Sequence, residues 1–240
     1  MMAIKVGCCG FPVARRRCFE RFPAVEIQQT FYQLPALPTA HKWRQEAPEG
    51  FECTAKAWQL ITHEPTSPTY RRLRKPIPEE KRRNYGSFKP TEEVFEAFQA
   101  TQQFCGDLGA KKIIFQCPPS FGMTSQHVDN MVKFFGQIEG KDFTFIWEPR
   151  GDWNGERIRS LCDELGLIHC VDPLRDAPLS GDIRYFRLHG VGGYRYQYTD
   201  EDLLRLKSRW CTGGPAYFMF NNTSMMEDAQ RFEELLRGEC

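Results

Sequence analysis

The stretch FTFIWEPRGDW (residues 143–153) begins as an apolar run and ends in charge. Its first half reads as a buried strand, and Ile146 and Glu148 fall on one face of it by alternation. Glu148, Pro149 and Arg150 then stand where the strand should stop. A carboxylate and a guanidinium there are costly unless they pair or meet a ligand. The stretch therefore predicts a strand that ends in a site.

Seven similar runs flank it. They are IKVGCCG (4–10), AVEIQQTFY (24–32), FECTAKAW (51–58), KIIFQCPPS (112–120), LIHCVDP (167–173), RYFRLHGVGG (184–193) and AYFMFNN (216–222). Between them lie helical patterns at 38–47, 91–110, 125–138, 155–166, 199–210 and 226–238. Alternating strands and helices imply a parallel sheet with right-handed crossovers. Eight strands in 240 residues predict a closed (β/α)8 barrel, one domain over residues 1–240. An open doubly wound sheet would favour G-x-G-x-x-G after the first strand, and GCCGFP (7–12) lacks it. The proline-rich segment 64–90 is too long for an ordinary connection, so an insertion over about 62–90 is expected after strand three.

No apolar run approaches the roughly 18 residues that a membrane helix needs. The N-terminus lacks signal-peptide architecture, which predicts a cytoplasmic location with no membrane partner. Net charge is +1, so any strong field must be local. Ala14–Cys18 and Tyr70–Gly86 are dense in Lys and Arg and read as basic loops on the face of the strand ends. The ten cysteines include no C-x-x-C, and Cys53, Cys117 and Cys170 read as small buried hydrophobes. Cys8 or Cys9 with distant partners is a lesser alternative as a metal or cluster ligand, and disulfides are a further one.

Active sites of such barrels lie at the C-terminal strand ends. Those ends carry Glu26 and Gln28, Lys56 and Trp58, Gln116, Glu148 and Arg150, Asp172, Arg187 and His189, and Asn221 and Asn222. Thr54, Lys56 and Trp58 share a face by alternation, as do Arg187 and His189. Lys56, Glu148, Arg187 and His189 are expected to form a paired network, with a purely structural ion cluster as the bland alternative. The five tryptophans read as core or rim packing, with Trp58 the exception as a candidate substrate contact.

With these residues in view, the chain resembles the YecE-like family, domain of unknown function number 72, in an archaeal-looking branch. VEIQQTFYQLP, AKAWQLITH, IFQCPPSF, WEPRGDW, YFRLHGVGGYRYQYTDEDL and FNNT carry the resemblance nearly end to end. It implies a TIM barrel, loosely similar to endonuclease-four and xylose-isomerase barrels, and no settled activity. Two departures stand out. Gly7-Cys8-Cys9-Gly10-Phe11 replaces a common Gly-Thr-Ser-Gly-Trp, and Arg150-Gly151-Asp152-Trp153 replaces a common Arg-His-Pro-Ser-Trp.

Three functions fit these residues. The first is an enzyme for an anionic, phosphorylated or nucleotide-like small molecule. Glu148 would be its acid or base, with His189 as partner, and Lys56 and Arg150 would hold the anion. Arg187, Gln28, Gln116, Asp172, Asn221, Asn222 and Trp58 would bind substrate, and a Lys56 Schiff base is a weaker variant. No cofactor is expected there. The second, which the distant barrels suggest, is a hydrolase or isomerase with a divalent ion on Glu148, Asp172, His189 and Glu26. The third is a nucleic-acid-binding module using Arg71, Arg72, Arg74, Lys75 and Arg195, with the aromatics of GGYRYQYTD (192–200) as stacking platforms. Nothing fixes the oligomeric state.

Overall fold

The computed structural model describes residues 4–238. The expected bounds, 1–240, include residues 1–3 and 239–240, which lie outside the described residues. The eight runs form β1 (Ile4–Cys9), β2 (Ala24–Ile27), β3 (Glu52–Lys56), β4 (Lys112–Gln116), β5 (Thr144–Glu148), β6 (Ile168–Val171), β7 (Arg184–Leu188) and β8 (Ala216–Phe220). Each pairs with its neighbours in parallel, and β1 pairs with β8, so the sheet closes into the expected barrel. Gly7 permits a close approach in this wall, because a Cβ there would lie 2.3 Å from the Ala24 carbonyl oxygen of β2.

The helices are α1 (Arg15–Arg21), α2 (Gln29–Tyr32), α3 (Leu37–Glu46), α4 (Gln59–Thr62), α5 (Glu92–Leu108), α6 (Ser125–Gln137), α7 (Gly155–Leu165), α8 (Asp200–Trp210) and α9 (Met225–Arg237). Side-chain caps from Thr124, Asn154 and Thr199 start α6, α7 and α8. Glycines in the left-handed conformation end α5, α7 and α9.

Two details differ from the sequence reading. The basic run 14–18 lies largely in helix α1 rather than a loop, with Arg15 paired to Glu46 and Arg16 to Glu20. The strands stop earlier than their apolar runs: Gln28 turns helical after β2, and Gly190 and Gly193 take positive φ after β7. No helix forms between β6 and β7 among the described residues.

The core has two layers. Ile114, Ile146, Cys170, Tyr185 and Met219 fill the barrel interior, while Phe98, Phe115, Phe134 and Trp147 lie in the shell between sheet and helices. At the N-terminal mouth, Glu52 pairs with Lys5, with Lys112 at 3.2 Å and with the Tyr217 hydroxyl at 2.5 Å. Residues 63–91 form two 3-10 turns, Pro68–Arg72 and Glu79–Asn84. They are tied down by Tyr70 Oη donating to the His63 carbonyl (2.8 Å), by Phe88 N donating to the Ile61 carbonyl (2.9 Å) and by the fully buried Phe88 ring.

The nine cysteines of the described residues are free thiols, and only Cys211 is not buried. Burial pushes the thiols of Cys53 and Cys105 up to about 12, which makes them poor nucleophiles near neutral pH. No helix of the described residues is long and apolar enough to cross a membrane.

Candidate active site at the C-terminal mouth

Alternation along β7 turns Tyr185 and Arg187 into the barrel. Arg187, only 1% exposed, bridges two carboxylates: Nη2 lies 3.0 Å from Glu26 Oε1, and Nη1 2.5 Å from Glu148 Oε2. Gln116 Oε1 accepts from the same Nη1 at 3.2 Å. Tyr185 Oη donates to Glu26 at 2.9 Å, and the Gln28 amide also donates to Glu26. Burial opposes charge on Glu148 and Arg187, but electrostatic attraction wins for both. The Arg187 and Arg150 guanidiniums hold the Glu148 carboxyl well below the usual carboxylate range, and Arg187 is held above its ordinary value. Glu148 is therefore a fixed anion near neutral pH rather than a proton carrier.

Two further groups reach Glu148 from the loops. Arg150 Nη2 donates to Oε1 at 3.0 Å, and His189 Nε2 lies 3.0 Å from the same oxygen. Asn221 Nδ2 lies 3.0 Å from His189 Nδ1. Donation from Asn221 to Nδ1 leaves the imidazole proton on Nε2, where it donates to Glu148. Burial lowers the His189 pKa against the pull of Glu148, so the ring is neutral near pH 7. Arg150 Nη2 then sits 2.8 Å from an Nε2–H that cannot accept from it. With a side chain 31% exposed, Arg150 is the member of the set best placed to leave Glu148 for a ligand.

Lys56 ends β3 and is 5% exposed, yet among the described residues it forms no ion pair. Arg187 has taken both nearby carboxylates. The Lys56 Nζ lies 3.6 Å from the centroid of the Phe31 ring, which also packs against His63 at 4.8 Å. Burial, then the charge on Arg187, outweighs the attraction of Glu148 and Glu26 and brings Lys56 down to about 7. Burial likewise lowers His63 to about 3, so the group beside Phe31 is a neutral imidazole. The backbone of Lys56 is held at the strand end, because Thr30 Oγ1 donates to its carbonyl at 2.6 Å.

A cleft of about 690 Å³ opens beside Glu148, Arg150 and His189. The helix-free β6–β7 connection forms its far wall with Asp172, Arg175 and Leu179. Asp172 faces this cleft while accepting from the amides of His189 (3.1 Å) and Leu174 (3.2 Å). Asn222 lies elsewhere: its amide donates to the Tyr196 carbonyl (2.7 Å) and to Asp228 (2.6 Å), which ties the β7–α8 loop to α9. Trp58 caps α4 and packs against the shell outside the barrel, so it does not share the interior with Lys56. Alternation fails for Trp58 because β3 ends at Lys56.

Arg71, Arg72, Arg74 and Lys75 are exposed on the β3–α5 insertion, with Arg72 4.1 Å from the Tyr32 ring centroid. Arg195 is exposed on the β7–α8 loop. Of the aromatics around it, Tyr196 is bound to Asp202 and Tyr198 is buried, while Tyr194, 57% exposed, meets the His189 ring edge-on at 6.2 Å and accepts from Asn221 Nδ2 at 3.4 Å. Tyr185 and Phe31 are site residues that the sequence reading passed over. Tyr185 was within reach, since it alternates with Arg187 on β7. Phe31 was not, because the break at Gln28 resets its direction.

Glu148, Asp172, His189 and Glu26 do not fit a divalent ion as they stand. Among the described residues no three His, Cys, Asp or Glu side chains are grouped to hold one. Guanidiniums and backbone amides occupy the carboxylate oxygens that would ligate it.

The closed parallel barrel, with its charged and partly open C-terminal mouth, is a TIM barrel. Within that class it belongs to the family described as Protein of unknown function DUF72, whose model matches residues 16–239. A DUF72 family protein from Enterococcus faecalis V583 is similar at 18% identity over 99% of this chain and 98% of that one, with a TM-score of 0.74. Another, from Thermotoga maritima MSB8, is similar at 18% identity over 98% and 99%, with a TM-score of 0.67. An AP endonuclease, family 2, from Brucella melitensis is similar at 10% identity over 93% of each chain, with a TM-score of 0.54. At these identities the likeness is one of fold. No curated protein matches with significant similarity.

Proposed function

We propose that this chain is an enzyme that acts on an anionic substrate, phosphorylated or nucleotide-like, by acid–base chemistry at the C-terminal mouth. The observation that carries the reading is Lys56, a buried amine with no ion pair among the described residues, next to carboxylates already taken by Arg187. A cluster built only for stability would use that charge or dispense with it. An amine titrating near 7 is suited to move a proton at neutral pH.

The remaining roles follow from contacts. Arg150 turns from Glu148 to the incoming anion, where a charge-assisted, two-pronged hydrogen bond is strongest. Glu148 stays ionised, holds Arg187 and His189, and stabilises positive charge that develops on Lys56. His189, oriented by Asn221, offers a neutral N–H at the cleft. Gln28 and Gln116 hold the carboxylate–guanidinium core in register.

Thermal unfolding with inorganic phosphate, glycerol 3-phosphate and adenosine monophosphate tests this. The melting temperature rises with at least one phosphate ester, and the rise is lost in Arg150→Gln. Absence of any shift in the folded parent protein removes the proposal.

One observation favours a second reading, in which the anion is a nucleic acid. Arg71, Arg72, Arg74, Lys75 and Arg83 are exposed and, among the described residues, have no ion pair. Such charges follow a phosphate backbone, and binding through them falls steeply with salt. Salt-sensitive retention on single-stranded DNA that disappears when Arg71, Arg72 and Arg74 become Ala supports it, and salt-independent retention contradicts it.

A further inference from the structure

We propose that Lys56 is a covalent catalyst, and that the substrate is a carbonyl compound with an anionic tail which forms an imine with the Lys56 Nζ. The inference rests on the reading of the mouth as an anion-binding catalytic site.

A lysine nucleophile needs a free lone pair, a fixed stem and a pocket that favours the neutral amine. Among the described residues, Lys56 Nζ has no hydrogen-bond or ion-pair partner, so no group there competes for its lone pair. The hydrogen bond from Thr30 to the Lys56 carbonyl, and that from Ala57 N to the Ile114 carbonyl (2.9 Å), fix the backbone from which the stem springs to the barrel wall. The Phe31 face at 3.6 Å supplies an apolar wall on one side of the amine. A value near 7 agrees with these contacts, since a large fraction of the amine is then unprotonated at neutral pH.

The same neighbourhood suits the product. A protonated imine keeps the positive charge of the ammonium form, and Glu148 and Glu26 both act on that charge favourably. Arg187 bridges these carboxylates, so neither needs Lys56 as its counter-ion. Arg150, paired with Glu148 and close enough for its charge to act on Lys56, offers a second point of attachment for the anionic tail. Two-point recognition, by amine at one end and guanidinium at the other, selects a carbonyl that also bears a negative group.

The step balances without a further reactant. The ammonium form first gives one proton to water; the Nζ lone pair then forms a bond to the carbonyl carbon, and the C=O π bond opens onto oxygen, which later takes one proton from nitrogen and one back from water. With both protons the oxygen departs as water while the C=N bond forms. From the ammonium form of Lys56 and one carbonyl, the products are one protonated imine and one water.

The test is reductive trapping of the full chain with sodium borohydride, read by intact mass and peptide mapping. The probes are dihydroxyacetone phosphate, glyceraldehyde 3-phosphate and pyruvate. The expected result is one reduced adduct per chain on the Lys56 peptide, formed with at least one probe and lost in Lys56→Arg. Peptide mapping of the parent protein locates the adduct even if that variant fails to fold. Adducts spread over surface lysines with Lys56 unmodified overturn the proposal. Glycerol 3-phosphate separates the two levels, since it has the anionic tail but no carbonyl. If it raises the melting temperature while no probe is trapped on Lys56, the anion site stands and the covalent proposal falls. If it neither binds nor any probe is trapped, both fall.

Discussion

Replacing Lys56 by Met should make the protein more stable. The amine falls from the ordinary lysine value of 10.5 to about 7 because burial, with Arg187 nearby, opposes its charge. At about 1.4 kcal/mol per pH unit, that fall sets an upper limit of roughly 5 kcal/mol on the cost of keeping the lysine at neutral pH. Methionine matches the apolar stem, removes this cost and forfeits the contact with Phe31, worth about 1–2 kcal/mol when desolvated. The net expectation is a gain of about 2–3 kcal/mol at pH 7. Its pH dependence has a definite sign. Between about 7 and 10.5 the unfolded chain holds a proton on Lys56 that the folded chain lacks, so parent stability rises with pH. The advantage of Lys56→Met should therefore shrink by about 2–3 kcal/mol between pH 7 and about pH 9. Urea unfolding of both proteins at several pH values measures it. A variant less stable than the parent at pH 7, or a difference flat across this range, would refute the reasoning. It would mean that Lys56 is a charged member of a stabilising cluster.

Arg187→Met should be severely destabilising, by about 3–5 kcal/mol in urea unfolding, because it leaves Glu26 and Glu148 buried together without their shared cation. Arg150→Gln should cost under about 1 kcal/mol, since its ion pair is partly exposed, yet abolish stabilisation by phosphate esters. The depressed Glu148 carboxyl contributes stability that is present above its ordinary value of 4.5 and lost as pH falls below it. The melting temperature of Glu148→Gln should accordingly fall less steeply than the parent's on acidification below about pH 4.5. Glu52→Gln, at the opposite mouth, should lower the melting temperature and leave phosphate-ester binding intact.

Much of the fold was legible because barrel strands are short apolar runs and their helices carry ordinary start and stop signals. Thr124, Asn154 and Thr199 cap where the pattern placed helix starts, and glycines end α5, α7 and α9. The polar strand ends were legible for the same reason, since Glu148 and Arg187 extend inward-facing alternations. Residues just past a strand were not, because alternation ends with the strand. Trp58 and Asn222 point away from the expected interior, while Phe31 reaches Lys56 from a helical turn. Pairing was also hidden. One sequence cannot tell which of Lys56 and Arg187 captures the carboxylates, and the barrel register gave both to Arg187. That allocation turned Glu148 from an expected acid or base into a fixed anion, and left Lys56 as the group able to move protons.

The role of Lys56 is tested most directly by an NMR titration of protein carrying 13C-labelled lysine, assigned with Lys56→Arg and repeated with the phosphate ester that binds most tightly. The expected midpoint is near 7 in the free protein and moves upward when the anion binds beside it. A midpoint close to the ordinary lysine value, unmoved by any phosphate ester, would contradict that role.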